Sequence, residues 1–200
     1  MAALVKAIHP RLKDVGFRKR RHTFNRSTEP GIIQVINFQM GQRSLQGQFT
    51  INFGIAIEEA WSLRRRDSAG QFPAFVSEYE CEFRQRLSQL RGEQRDIWWD
   101  LSRQARASAE IGDVVLGEGT TWLEARATRE NILAIWRTAG PVALPSSTPL
   151  PIVAILSHLN RSDEAAATLR GYYGEIAQVS HQWYAHDLGR PLGIDLPAPG

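Results

Sequence analysis

The ten residues from Gln48 to Ile57, QFTINFGIAI, alternate strictly. Phe49, Ile51, Phe53, Ile55 and Ile57 fall on one side; Gln48, Thr50, Asn52, Gly54 and Ala56 fall on the other. A period of two predicts a strand with one apolar face and one smaller, polar face. Upstream, residues 20–27 (RRHTFNRS) and the β-branched run IIQVINFQM predict two more strands, joined by a turn at Pro30-Gly31. Short connections make the three an antiparallel meander. Residues 79–90 (YECEFRQRLSQL) alternate again. Cys81, Phe83 and Leu87 point one way and Glu82, Arg84, Arg86 and Ser88 the other, which predicts a fourth strand; IWWDLS predicts a short fifth.

Helical patterns flank these strands. Leu4, Ile8, Leu12 and Val15 recur at three- and four-residue spacing over residues 2–15, with Pro10 inside and Gly16 as a stop. Residues 58–70 read as a polar excursion with a helical turn. Ile111, Val114, Val115, Trp122 and Leu123 form a stripe interrupted by Gly117 and Gly119. TRENILAIWRTAG runs from a Thr128 cap to a Gly140 stop. A Pro/Ser linker, PVALPSSTPLP, precedes a helical hairpin of IVAILSHLN and the stretch from Ser162 to Gly189. The expected fold is therefore α+β. It has a four- to five-stranded, mainly antiparallel sheet, an N-terminal helix, and C-terminal helices packed on one face. Residues 1–140 make the α+β domain, residues 150–190 a helical hairpin packed on it, and residues 191–200 a flexible tail.

Composition narrows the picture. Two hundred residues, 42% of them hydrophobic, suffice for a core without staples. The 24 basic and 21 acidic side chains nearly cancel to +3, a weak field for nucleic-acid binding by net charge. Lysine occurs only at Lys6, Lys13 and Lys19; the other cations are arginines, which bind carboxylate and phosphate bidentately. Cys81 is the only cysteine, so no intrachain disulfide forms. The first residues lack a signal peptide's apolar stretch, and no run of about 20 apolar residues occurs to span a bilayer. The expectation is a cytoplasmic protein without membrane association.

The strand phases place candidate binding residues together. Asn25 on the first strand, Asn37 and Gln39 on the second, Thr50 and Asn52 on the third, and Arg84 and Arg86 on the fourth share one face under strict alternation. Trp99, one of an adjacent tryptophan pair, adds an outward anchor at the rim. Amides offer paired donors and acceptors, and guanidinium a fork of donors. The basic run GFRKRRHTFNR reads as a charged sheet edge that blocks unwanted pairing. His181 and His186 lie five apart, about 140° around a helix, and do not share a face. No metal site, cofactor or catalytic group is expected. Cys81 reads as a small buried hydrophobe.

The blocks GFRKRRHTFNR, GIIQVINFQ and QFTINFGI, followed by CEFRQRL and DIWW, resemble in order and spacing a bacterial family known as domain of unknown function 4304. The resemblance spans roughly residues 5–137. It implies a compact α+β domain and supplies no activity or catalytic residues. The leading expectation is a non-enzymatic binding module with a protein partner, neutralisation of a toxin-like enzyme being one form. The alternatives are nucleic-acid or nucleotide binding through the arginine cluster, and an enzyme acting on an anionic small molecule in a polar cleft. Oligomeric state is not legible in the sequence.

Overall fold

A computed structural model describes residues 1–65, 70–140 and 148–199. In chain order its elements are α1 (Ala2–Asp14), β1 (Arg18–Arg20), β2 (Thr23–Glu29), β3 (Ile32–Met40), β4 (Gln48–Ile57), α2 (Glu58–Arg64), β5 (Phe83–Arg86), α3 (Leu87–Leu90), β6 (Trp99–Asp100), α4 (Gln104–Val114), α5 (Thr120–Glu124), α6 (Arg129–Ala139), α7 (Leu150–His158), α8 (Ser162–Glu175) and α9 (Val179–Gly189). The fold is α+β, with an N-terminal helix, a mainly antiparallel sheet and C-terminal helices. Two compact units divide the chain: residues 1–56 with 73–132, and residues 57–72 with 133–200.

The sheet belongs to the first unit, in the order β1-β2-β3-β4-β5, with β6 also pairing with β4. The expected first strand is two strands. Arg21-His22 turns the chain between them, with Arg21 at φ 53°, and Arg20 pairs with Thr23. Phe24 opposes Ile36, and Asn25 opposes Val35, as the alternation requires. The long fourth-strand candidate shortens to Phe83–Arg86. A 3-10 turn over Glu78–Glu80 precedes it and α3 follows. IWWDLS contributes only Trp99 and Asp100.

One sheet face is apolar and carries helices. Phe24, Ile36, Phe38, Phe49, Ile51 and Phe53 are buried there with Leu4, Ile8 and Leu12 of α1 and with Ile111, Val115 and Leu123. A π-helical segment at Val115–Gly119 joins α4 to α5. Gly119 within it lies so close to Phe53 that a Cβ would overlap the ring. Two polar side chains on this face have partners. Gln34 donates to the Leu123 carbonyl at 2.7 Å, and Arg26 bonds Gln34 and Glu124. The β2–β3 turn is fastened by Arg129, whose Nη1 donates to Glu29 Oε1 at 2.6 Å and to the Pro30 carbonyl at 2.8 Å.

The second unit is helical. α7 is buried from Leu150 through Leu156 and packs against α2 and α8. The unit also buries Trp61, Ala165, Leu169, Ala185, Leu188 and Ile194. The single long helix expected from Ser162 to Gly189 breaks at Ile176, whose backbone is extended and whose carbonyl accepts from Gln182 Nε2. Glu58-Glu59 and Asp163-Glu164 sit in the first turns of α2 and α8, where acidic side chains complement the helix dipole. Tyr173 donates to the Pro197 carbonyl. Most of the Pro/Ser linker lies outside the described residues.

Candidate polar pocket on the sheet

The second face of the sheet carries the amides and arginines. Asn52 pairs with Arg86 and Gly54 with Arg84, so the four positions share a face. Thr23 pairs with Asn37 and Asn25 with Val35, which extends the same face across β2 and β3. Small, polar positions on β4 leave room above the sheet, and residues 73–81 of the same unit fill part of it.

This strap is held at two places. Val76 donates its N–H to Asn25 Oδ1 at 2.6 Å and accepts from Asn25 Nδ2 at 3.0 Å, so one side-chain amide imitates a strand pairing. Both residues are buried. Further along, Cys81 lies on Gly54: a Cβ there would sit 2.6 Å from the Cys81 Sγ. Strict alternation assigns Cys81 to the Phe83 side. The structure places it over the polar face instead, because the chain bends at Glu82, between Cys81 and the start of β5, and breaks the alternation. Burial still describes Cys81, and it pushes the thiol pKa well above its ordinary value.

Between the strap and the β5 edge lies a cavity of about 180 Å³ lined by Gln39, Asn52, Glu78, Arg84, Gln85, Arg86 and Gln89. Each cation there is matched. Arg84 Nε donates to Glu78 Oε1 at 2.7 Å and its Nη2 to Oε2 at 3.2 Å. That hydrogen-bonded pairing, opposed by desolvation, holds the guanidinium above its ordinary pKa. Arg86 bonds Asp96, which also accepts from Ser88. Gln89 Oε1 accepts from the Arg86 N–H at 3.0 Å. Asn52 donates from Nδ2 to Gln39 Oε1 at 2.7 Å, while its Oδ1, fully buried, has no hydrogen-bond partner. A buried acceptor without a donor costs about 1–3 kcal/mol, so its retention calls for an explanation.

The predicted residues therefore divide. Gln39, Asn52, Arg84 and Arg86 line one cavity. Asn25, Asn37 and Thr50 share their face but not the lining: Asn25 clamps the strap, Asn37 donates to Thr23 Oγ1 at 2.9 Å, and Thr50 is buried with an unpartnered hydroxyl. Trp99 is on the other face. It pairs with Phe49 and stacks on that ring, centroids 5.7 Å apart. Its neighbour Trp98 is the one near the pocket, its ring centroid 6.0 Å from the Arg86 guanidinium. Sequence reasoning missed Glu78, Gln89 and Asp96. A signal for the first was present: Ser77 and Glu80 form the S-x-x-E capping box that seats the 3-10 turn, with Ser77 N–H donating to Glu80 Oε2 at 3.0 Å. Tyr79, on that turn, is 73% exposed.

The basic run is elsewhere. Arg18, Lys19 and Arg20 are exposed along β1, the far edge of the sheet from β5. At the usual strand spacing, four steps separate the two edges by about 19 Å. Arg64 belongs to the second unit, and Arg66 lies outside the described residues. Among the described residues, no group of three or more His, Cys, Asp or Glu side chains could hold a metal. Among them, too, no helix is long and apolar enough to cross a membrane.

Comparison with known proteins adds the family and nothing finer. No curated protein and no solved structure matches the chain. One family model matches residues 8–115, more than half the chain, from α1 through the sheet to the end of α4 and the first residue of the π-helical segment. The strap and every residue lining the cavity lie inside that span. The chain belongs to the family described as domain of unknown function (DUF4304).

Proposed function

We propose that the chain is a non-enzymatic binding module that seats a side chain of a protein partner in the cavity between Asn52, Glu78, Arg84 and Arg86. One observation carries the reading: Asn52, which lines the cavity, keeps a buried acceptor, Oδ1, without a partner, while Gln39, Glu78, Arg84, Arg86 and Gln89 around it each have one. Preorganised polar groups around a small volume suit an anchor residue better than a whole metabolite, whose pockets run to roughly 300–1,000 Å³. The exposed Tyr79 and the partly buried Trp98 supply the aromatic surface that typically surrounds such an anchor.

The same groups argue against acid–base chemistry at this place. Glu78 is engaged by Arg84 through both oxygens, and Cys81, the last residue of the strap, is buried against Gly54 with its thiol held protonated. Nucleic acid would need the arginines' charge, which Glu78 and Asp96 match one for one. The exposed cations of β1 serve the edge-protecting role that charged edge strands have.

Capture from a native lysate on immobilised protein tests the reading. The wild-type chain should retain a partner stoichiometrically. Arg84→Ala combined with Arg86→Ala should weaken retention roughly tenfold or more, as truncated central anchors do. Circular dichroism keeps a folding defect distinct from a binding one. Equal capture by wild type and a folded double variant, or a wild-type monomer that retains nothing, contradicts it.

A further inference from the structure

We propose that the group the cavity takes is an uncharged carboxamide, the side chain of a partner's asparagine or glutamine. The proposal rests on the binding reading above and names what the pocket holds.

Charge comes first. Arg84 and Arg86 contribute two cations, and Glu78 and Asp96 two anions at bonding distance from them. The pocket is thus balanced before any ligand arrives. An anionic ligand would face Glu78 across a small cavity, and a cationic one would face both guanidinium groups. Like charges so close, partly desolvated, disfavour the ionised ligand. A neutral group meets neither penalty.

Hydrogen-bonding capacity then selects among neutral groups. Asn52 Oδ1 lacks a donor. A guanidinium has five N–H groups; Arg84 commits two to Glu78 and Arg86 one to Asp96, so donors remain on both forks. Asn52 lines the cavity, so a modest turn of its amide would bring this one demanding acceptor to a ligand beside the surplus donors. A hydroxyl answers the acceptor through a single atom. A hydrocarbon answers nothing and leaves Asn52 Oδ1 unpaired. A primary carboxamide carries N–H donors and a carbonyl acceptor on adjacent atoms, matching Asn52 on one side and the guanidinium groups on the other. The amide lining of Gln39 and Gln89 continues the same chemistry.

Small probes test this without knowing the partner. In the ¹⁵N-labelled full chain, the side-chain amides of Gln39, Asn52 and Gln89 and the Nε–H of Arg84 report occupancy. Acetamide, acetate and methylammonium are titrated separately. Acetamide should shift the Asn52 and Arg84 signals saturably, at least tenfold more tightly than acetate or methylammonium. Asn52→Leu should abolish the Arg84 response to acetamide. Acetate binding as tightly as acetamide or more so overturns the carboxamide assignment while leaving the pocket a binding site; it is the result expected if the Asn52 and Gln39 amides were both turned over, presenting only donors. Preferred methylammonium overturns it likewise. Silence from all three probes overturns it too, and partner capture sensitive to Arg84 and Arg86 would then show that the broader binding reading survives.

Discussion

Asn25→Ala should destabilise the fold by about 3 kcal/mol, because two buried main-chain groups lose their partners at once. The Asn25 side chain bonds both the Val76 N–H and the Val76 carbonyl, and Val76 is fully buried in the strap. Removing the amide leaves a donor and an acceptor unsatisfied where water has little access, each costing about 1–3 kcal/mol. Asn25→Asp sharpens the test. At neutral pH the introduced carboxylate still accepts from Val76 N–H but sets its charge against the Val76 carbonyl. Burial and that repulsion raise the pKa of the introduced carboxyl group in the folded state above its unfolded value of about 4. The penalty is then full above the folded pKa and fades as pH falls toward the unfolded one. Urea unfolding of Asn25→Asp should therefore show a midpoint that recovers toward wild type on acidification, relative to the wild type's own change. A loss under about 1 kcal/mol for Asn25→Ala would show the strap to be held by other contacts.

Gly119→Ala and Gly117→Ala should move stability in opposite directions, though both replace a glycine in the same π-helical segment. Intrinsic propensity favours alanine over glycine in a helix by about 1 kcal/mol at either site. Gly117 has open space where a Cβ would go, so Gly117→Ala should stabilise by roughly 0.5–1 kcal/mol. At Gly119 the Cβ would overlap the edge of the Phe53 ring, which is fully buried at the centre of the apolar face. Overpacking there should cost about 2–3 kcal/mol, more than propensity returns. Phe53→Leu should cost less in the Gly119→Ala background than in wild type, because the shorter side chain relieves the overlap. Thermal unfolding of the two single variants decides it; two shifts of the same sign would mean that α5 stands further off the sheet.

The strand pattern disclosed the polar face but not the pocket. Alternation over Gln48–Ile57 is long and unambiguous, and pairing with β5 puts Arg84 and Arg86 beside Gly54 and Asn52 as the phases imply. Gln39 and Asn37 follow because β3 is extended throughout. Legibility fails where phase is lost. Residues 91–98 intervene between α3 and β6, so counting from β5 says nothing about which tryptophan faces which side; pairing of Trp99 with Phe49 decides it. The Arg21-His22 turn carries neither glycine nor proline, so nothing in the local composition divides β1 from β2. The strap has no period at all. Its position follows from the Asn25–Val76 and Gly54–Cys81 contacts, across 51 and 27 residues of sequence. Glu78 and Arg84 are only six residues apart and meet across the irregular entry to β5, and with that pair comes the charge balance on which the binding reading depends.

Polar groups retained in a buried place at a cost to stability are the residues most apt to serve function. Asn52 is the clearest instance: 1% exposed, one hydrogen bond made and one acceptor left open. Asn52→Leu keeps the approximate size and removes the open acceptor, so the variant should unfold within about 1 kcal/mol of wild type. The decisive measurement is the affinity of that variant for the partner that wild type captures. A folded Asn52→Leu chain should bind it at least tenfold more weakly. Unchanged affinity, with the only loss appearing in the melting temperature, would make Asn52 a structural residue and contradict the pocket as the site of recognition.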